Sequence, residues 1–76
     1  MPTLLRKDGF KFFFYANEHL PKHMHIVKGD NFAKINLGNF EITKNYFNHN
    51  ELKNALKILE ENQQFFIEKW NEYFHR

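Results

Sequence analysis

The N-terminal segment TLLRKDGFKFFFYA, residues 3–16, constrains the fold most, because it places an Asp-Gly pair between two runs of β-prone residues. Asp8-Gly9 suits the positive φ angles of a two-residue type I′ turn, which is the strongest short-range signal for a hairpin. In the second run every other residue is Phe, so a strand there presents Phe10, Phe12 and Phe14 on one face. The sequence therefore begins with a predicted β-hairpin.

The remaining chain predicts more strands and then helix. HMHIVK, FAKINL and a short FEIT are β-prone and are separated by turn-forming residues. Asn48 and Glu51 fit a capping box, and apolar residues then recur with a helical period as far as Phe74. We expect one α+β domain over residues 1–76. It is a small antiparallel sheet, with the N-terminal hairpin plus two or three further strands, packed by one long C-terminal helix, or by one that is kinked or broken near ENQQ.

Composition limits how a chain of 76 residues is stabilised. It has no cysteine, which excludes disulfides and thiolate zinc sites. Ten Phe, three Tyr and one Trp supply a dense aromatic core instead. No apolar run approaches the roughly 20 residues that span a bilayer, so we expect a cytoplasmic protein without a membrane partner. The net charge of +2 permits binding to RNA.

The segment NEHLPKHMHI concentrates three of the five histidines of the chain, His19, His23 and His25, within seven positions. On a strand, His23 and His25 point to the same face with Cβ atoms roughly 7 Å apart. Met24 and Ile26 point to the opposite face and, being apolar, are predicted to enter the core. The histidines then lie on the face away from the helix. Such crowding of groups that titrate near neutrality requires an explanation.

Three explanations fit this pattern. Two histidines can exchange the roles of general base and general acid in RNA cleavage by the 2′-hydroxyl, with a lysine beside the phosphate. Alternatively, a His-x-His pair completed by Glu18 or His19 can bind a metal ion. The cluster can also be a polar surface for protein contact. For the first explanation the candidate catalytic residues are His23, His25 and Lys34, and the candidate substrate-binding residues are Glu18, His19, Lys22 and Asn36.

The chain resembles the bacterial family of unknown function numbered 4160. Four pieces carry the resemblance: Met1–Thr3, Gly9–Phe14, the histidine segment Asn17–His25, and Trp70–Phe74. Lys22 stands where the family often has a second proline. The resemblance implies a small bacterial protein, often encoded beside another short protein in pairs that look like toxin–antitoxin modules. It implies no established reaction and no catalytic residue.

From these observations we expect the RNA-directed toxin of such a module, a possible endoribonuclease that acts without a metal or other cofactor. The expected partners are the small protein encoded next to it and RNA. The alternatives are a non-enzymatic antitoxin or partner subunit and a small histidine-based metal-binding protein. A homodimer or hetero-oligomer is also expected, because one small sheet offers little area to cover Phe65, Phe66, Trp70 and Phe74.

Overall fold

A computed structural model describes residues 3–74. Met1 and Pro2, which carry part of the family resemblance, lie outside these residues. Five strands form one antiparallel sheet in chain order, and two helices follow. The elements are β1 (Thr3–Lys7), β2 (Phe10–Phe13), β3 (His23–Lys28), β4 (Asn31–Asn36), β5 (Ile42–Asn45), α1 (His49–Glu61) and α2 (Gln63–Phe74). The predicted α+β class is confirmed, with three strands after the hairpin.

The turn between β1 and β2 has the predicted chemistry. Asp8 has φ 54° and Gly9 has φ 84°, while Lys7 and Phe10 pair across the turn. Two consecutive positive φ angles define the type I′ turn, whose twist matches that of the strands it joins. The Asp-Gly pair therefore sets the register of the first hairpin.

The C-terminal region is two helices, which corrects the prediction of one long or kinked helix and agrees with the alternative of a break near ENQQ. The predicted capping box opens α1: Glu51 N–H donates to Asn48 Oδ1 (2.8 Å), and Asn48 N–H donates to Glu51 Oε1 (3.3 Å). Asn62 separates the helices. Its side-chain amide donates to the Ile58 carbonyl (2.8 Å), and this local hydrogen bond competes with continued helix geometry. Gln63 then donates to the Leu37 carbonyl (2.7 Å), which fixes the junction to the sheet.

The helices cover the inner face of the sheet, and together they enclose the core. The sheet contributes six fully or almost fully buried side chains: Phe10, Phe12, Met24, Ile26, Ala33 and Ile35. Phe66 and Trp70 of α2 are completely buried within the single chain. Phe66 stacks on Phe12 at 5.5 Å and Trp70 packs edge-on against Phe14 at 5.4 Å, so these two residues need no second chain to cover them. The prediction of a dimer rested on these aromatic residues being uncovered in one chain, and the burial of Phe66 and Trp70 removes that argument for two of them.

The other side of the sheet carries mixed aromatic and basic residues. We call it the outer face and define it by seven residues. Six of them alternate with core residues along β2, β3 and β4, and Lys44 of β5 pairs with Lys34; the six are Lys11, Phe13, His25, Val27, Phe32 and Lys34. No helix among residues 3–74 has the length and apolar character needed to cross a membrane.

Leu59→Ala should lower the free energy of unfolding by about 2–5 kcal/mol, because Leu59 is fully buried and its removal leaves a cavity. Leu56→Ala, on the same helix but only half-buried, should cost clearly less. Urea unfolding of both variants measures the difference. Equal losses would mean that α1 packs in another register.

Candidate metal centre

Strand β3 brings His23 and His25 together as predicted. Their ring centroids lie 5.2 Å apart, while Met24 and Ile26 between and beyond them are fully buried on the inner face. One part of the prediction is wrong, however. His23 is only 6% exposed, because the Trp70 ring of α2 packs edge-on against it at 5.2 Å. Only His25 lies on the open outer face.

Glu18 in the loop before β3 connects the two rings. Its Oε2 lies 2.6 Å from His25 Nε2, and its Oε1 lies 3.1 Å from His23 Nε2. The backbone N–H of Tyr15 donates to Oε2 at 3.1 Å and holds the carboxylate in place. One carboxylate therefore faces the Nε2 atoms of both histidines.

The other nitrogen of His23 determines the protonation of its ring. Nδ1 lies 2.8 Å from the Pro21 carbonyl oxygen. A carbonyl only accepts, so Nδ1 carries a proton, and in the neutral ring Nε2 is left with a lone pair. That lone pair is buried and has no hydrogen-bond partner among the described residues, and it lies close to an oxygen of Glu18. Two acceptors at this distance repel unless a cation, either a proton or a metal ion, lies between them.

Aromatic neighbours fix the orientation of both rings. Phe13 stacks on His25 at a centroid distance of 5.5 Å and an interplanar angle of 20°, and Tyr15 packs on it edge-on at 4.7 Å. Trp70 holds His23 in the same way. Packing contacts of this kind, together with the hydrogen bond from His23 to the Pro21 carbonyl, hold the rings in one orientation for binding a metal.

The electrostatics favour an ionised Glu18 and a neutral His25. Burial by itself raises the pKa of Glu18, but the Tyr15 N–H and the charges of His23 and His25 outweigh it, so the pKa lies below its ordinary value of 4.5. Burial lowers the pKa of His25 below 6.5, and although Glu18 opposes this shift, His23 and Lys34 add to it. Metal ligands need these protonation states.

The donor set fits a divalent transition metal. One ligand atom from each of Glu18, His23 and His25 lies within 4.8 Å of the others. Atoms bonded to one ion at about 2.0–2.2 Å are at most about 4.4 Å apart, so a small contraction suffices. Two imidazoles and one carboxylate suit Zn²⁺, Fe²⁺ and related ions. Three protein ligands leave positions for water or substrate, as in catalytic rather than structural sites.

Of the other predicted site residues, Lys34 acts on the cluster through its charge, which lowers the pKa of His25. It pairs with His25 across β3 and β4 and lines two cavities, of about 310 Å³ and 230 Å³. His19 is exposed and lines the smaller cavity, outside the cluster. The Asn36 side chain accepts from the N–H groups of Gly38 and Asn39, so its oxygen serves a turn.

Lys22, the last of the predicted site residues, lies outside both cavities. It is half-buried, and its carbonyl accepts from Leu37 N–H at 2.8 Å.

Two main-chain contacts of the cluster were not evident in the sequence. Sequence reasoning missed the Pro21 carbonyl and the Tyr15 N–H, which orient His23 and Glu18. Main-chain donors and acceptors leave no residue-type signal, so only the fold identifies them.

Comparison with known proteins places the chain in one family. The sequence model of the domain of unknown function DUF4160 matches residues 9–71. The chain therefore belongs to the DUF4160 family, as its histidine segment and aromatic strand indicated. No curated protein and no solved structure matches it.

We consider metal-free protein in chelator, at a pH high enough that both imidazole rings are neutral. Under these conditions His23 should be the Nδ1–H tautomer, because it donates to the Pro21 carbonyl. His25 should be the Nε2–H tautomer, because it donates to Glu18. ¹⁵N chemical shifts of the ring nitrogens distinguish these forms. Finding His23 as the Nε2–H tautomer would remove the repulsion between acceptors that we describe.

Proposed function

We propose that this protein binds one divalent transition-metal ion through Glu18, His23 and His25 and uses it to cleave RNA. The observation that carries the proposal is the buried lone pair of His23 facing the carboxylate of Glu18. A metal ion satisfies both acceptors and also the Nε2 of His25, once that atom loses its proton. Binding therefore requires the neutral His25 ring to carry its proton on Nδ1 instead of Nε2.

Lys34 supplies the link from the metal centre to a phosphate substrate. It lies opposite His25 and borders both cavities, so its ammonium stands beside the centre on the substrate side. When bound, the ion supplies Lewis acidity toward a phosphate oxygen or an attacking water. Hydrolysis joins the water oxygen to phosphorus, breaks one ester P–O bond and gives a proton to the leaving hydroxyl. Lys34 offsets the charge that grows on the phosphate oxygens.

One contact favours the metal-independent mechanism as a second candidate. The 2.6 Å hydrogen bond between Glu18 and His25 is an arrangement that orients a histidine for acid–base catalysis. His23 is less suited to the second role, because it is buried and donates its Nδ1 proton to Pro21. A one-histidine mechanism would need another group, such as Lys34, for the partner step.

The biological setting is also part of this proposal. The family resemblance implies a neighbouring gene that encodes another short protein. In that pair the present chain is the RNA-directed toxin, and its neighbour is the antitoxin that neutralises it. Expression of the chain alone should arrest growth, and expression of Glu18→Gln should not.

Titration of a divalent metal such as Zn²⁺ into chelator-treated protein should show one ion per chain. Loss of an outer-shell partner already costs about 10–100-fold in metal affinity, so Glu18→Gln and His25→Ala should each cost at least that much. His19→Ala is the matched control, since His19 is adjacent to Glu18 but outside the cluster, and it should bind as the wild type does. Calorimetry measures all four proteins. Equal affinity in the wild type and Glu18→Gln would exclude this site.

RNA cleavage should stop in excess chelator and return when the divalent ion is restored. His49→Ala, at the exposed start of α1, should keep full activity. Cleavage that persists in chelator, follows a bell-shaped pH profile and leaves 2′,3′-cyclic phosphate ends would favour the acid–base mechanism instead. A protein that binds metal, cleaves no RNA and captures only the neighbouring gene product would be the non-enzymatic partner.

A further inference from the structure

The outer face of the sheet carries aromatic rings that the fold leaves uncovered. Tyr15 is 49% exposed, Phe32 37% and Tyr46 61%. Phe32 and Tyr46 lie 4.7 Å apart between ring centroids, and Tyr15 packs against Phe13 at 5.4 Å. The core does not account for these exposed rings, because the inner face has its own aromatic residues. They form a second, open aromatic surface.

Two lysines on the same face repel each other and so lower the stability of the sheet. Lys34 and Lys44 pair directly across β4 and β5, and like charges opposite one another destabilise a sheet. Lys11 lies over the Phe13 ring, with its ammonium 5.4 Å from the centroid. Within residues 3–74, none of these three lysines forms an ion pair with a carboxylate. A bound polyanion would relieve the repulsion between them.

The larger of the two cavities that Lys34 borders contains two of the exposed aromatic rings, Tyr15 and Phe32, and the opposed lysines. It has a volume of about 310 Å³, which is at the lower end of the range for ligand pockets. Aromatic rings and the two opposed lysines line it, together with Asp30 and Asn31. A flat ring can therefore stack while a phosphate reaches the ammonium groups. Asp30 and Asn31 offer oxygens that can accept a hydrogen bond from a ribose 2′-hydroxyl.

We infer that the outer face binds single-stranded RNA, with one base stacked in the cavity between Tyr15 and Phe32 and the backbone along Lys34 and Lys44. Single strands are required because bases in a duplex are not free to stack on side chains. His25 lines the same cavity and pairs with Lys34, so the phosphate beside the stacked base lies next to the metal centre. The inference rests on the proposed function and names its substrate class.

Binding is measured in excess chelator, so that neither metal binding nor cleavage enters the result. Fluorescence anisotropy follows a labelled single-stranded RNA of about ten nucleotides, a length within the range that sheet-based single-strand binders cover. Phe32→Ala should weaken binding roughly 5- to 100-fold, the effect of losing one base–aromatic stack, while Phe32→Tyr keeps the aromatic face and should bind like the wild type. Both proteins must unfold at the wild-type urea midpoint.

The lysines are tested by the salt dependence of binding. Lys44→Ala should reduce the steepness of the log affinity against log salt plot by about 0.7, the value for one phosphate contact on a single strand. Lys57→Ala removes the same charge from the exposed face of α1 and should leave affinity and slope unchanged. Equal effects of the two lysine variants, or no loss of binding in Phe32→Ala, would overturn the inference.

Other occupants of this face give different results. DNA of the same sequence lacks the 2′-hydroxyl and should bind more weakly, so equal binding would contradict the choice of RNA. Self-association that Phe32→Ala abolishes, without any RNA binding, would assign the face to a second copy of the chain. If the protein binds RNA in this assay but takes up no ion in the calorimetric titration, the proposed metal centre is overturned and this inference stands.

Discussion

The alternation of side chains along β3 is the constraint on which both the core and the candidate site depend. Met24 and Ile26 are completely buried beneath the helices, and His23 and His25 alternate with them along the strand. A shift of one residue in register would exchange the two sets. The burial of two apolar side chains therefore also positions the two imidazoles. Pairing with β2 and β4 then places Phe13 and Lys34 beside His25.

Glu18 turns this pair of histidines into a site with chemical consequences. The carboxylate satisfies His25 through a short hydrogen bond, but toward His23 it presents an acceptor to an acceptor. A buried group left in this way is destabilising unless a cation is shared. Trp70 on one side and Phe13 on the other keep the rings from turning away. The cluster is therefore suited to a shared cation, and Lys11, Lys34 and Lys44 give the outer face beside it a positive charge.

Much of this arrangement follows from local sequence patterns. The Asp8-Gly9 turn, the capping box at Asn48 and the shared face of His23 and His25 each depend on residues within a few positions of one another, and the structure confirms them. The burial of His23 was missed, because it comes from Trp70, which only the tertiary fold brings near. The sequence also left Glu18 and His19 equal as third ligands. A loop has no periodicity to separate two neighbours, and here the Tyr15 N–H holds the carboxylate.

The central claim is that Glu18, His23 and His25 form one metal centre, and anomalous diffraction from crystals grown with Zn²⁺ tests it most directly. The account predicts a single strong anomalous peak about 2.0–2.2 Å from the Nε2 atoms of both histidines and from a carboxylate oxygen of Glu18. The Nδ1 of His23 should still donate to the Pro21 carbonyl. A peak bound elsewhere, or a saturated crystal in which His25 Nε2 keeps its hydrogen bond to Glu18 with no metal between the three residues, would contradict it.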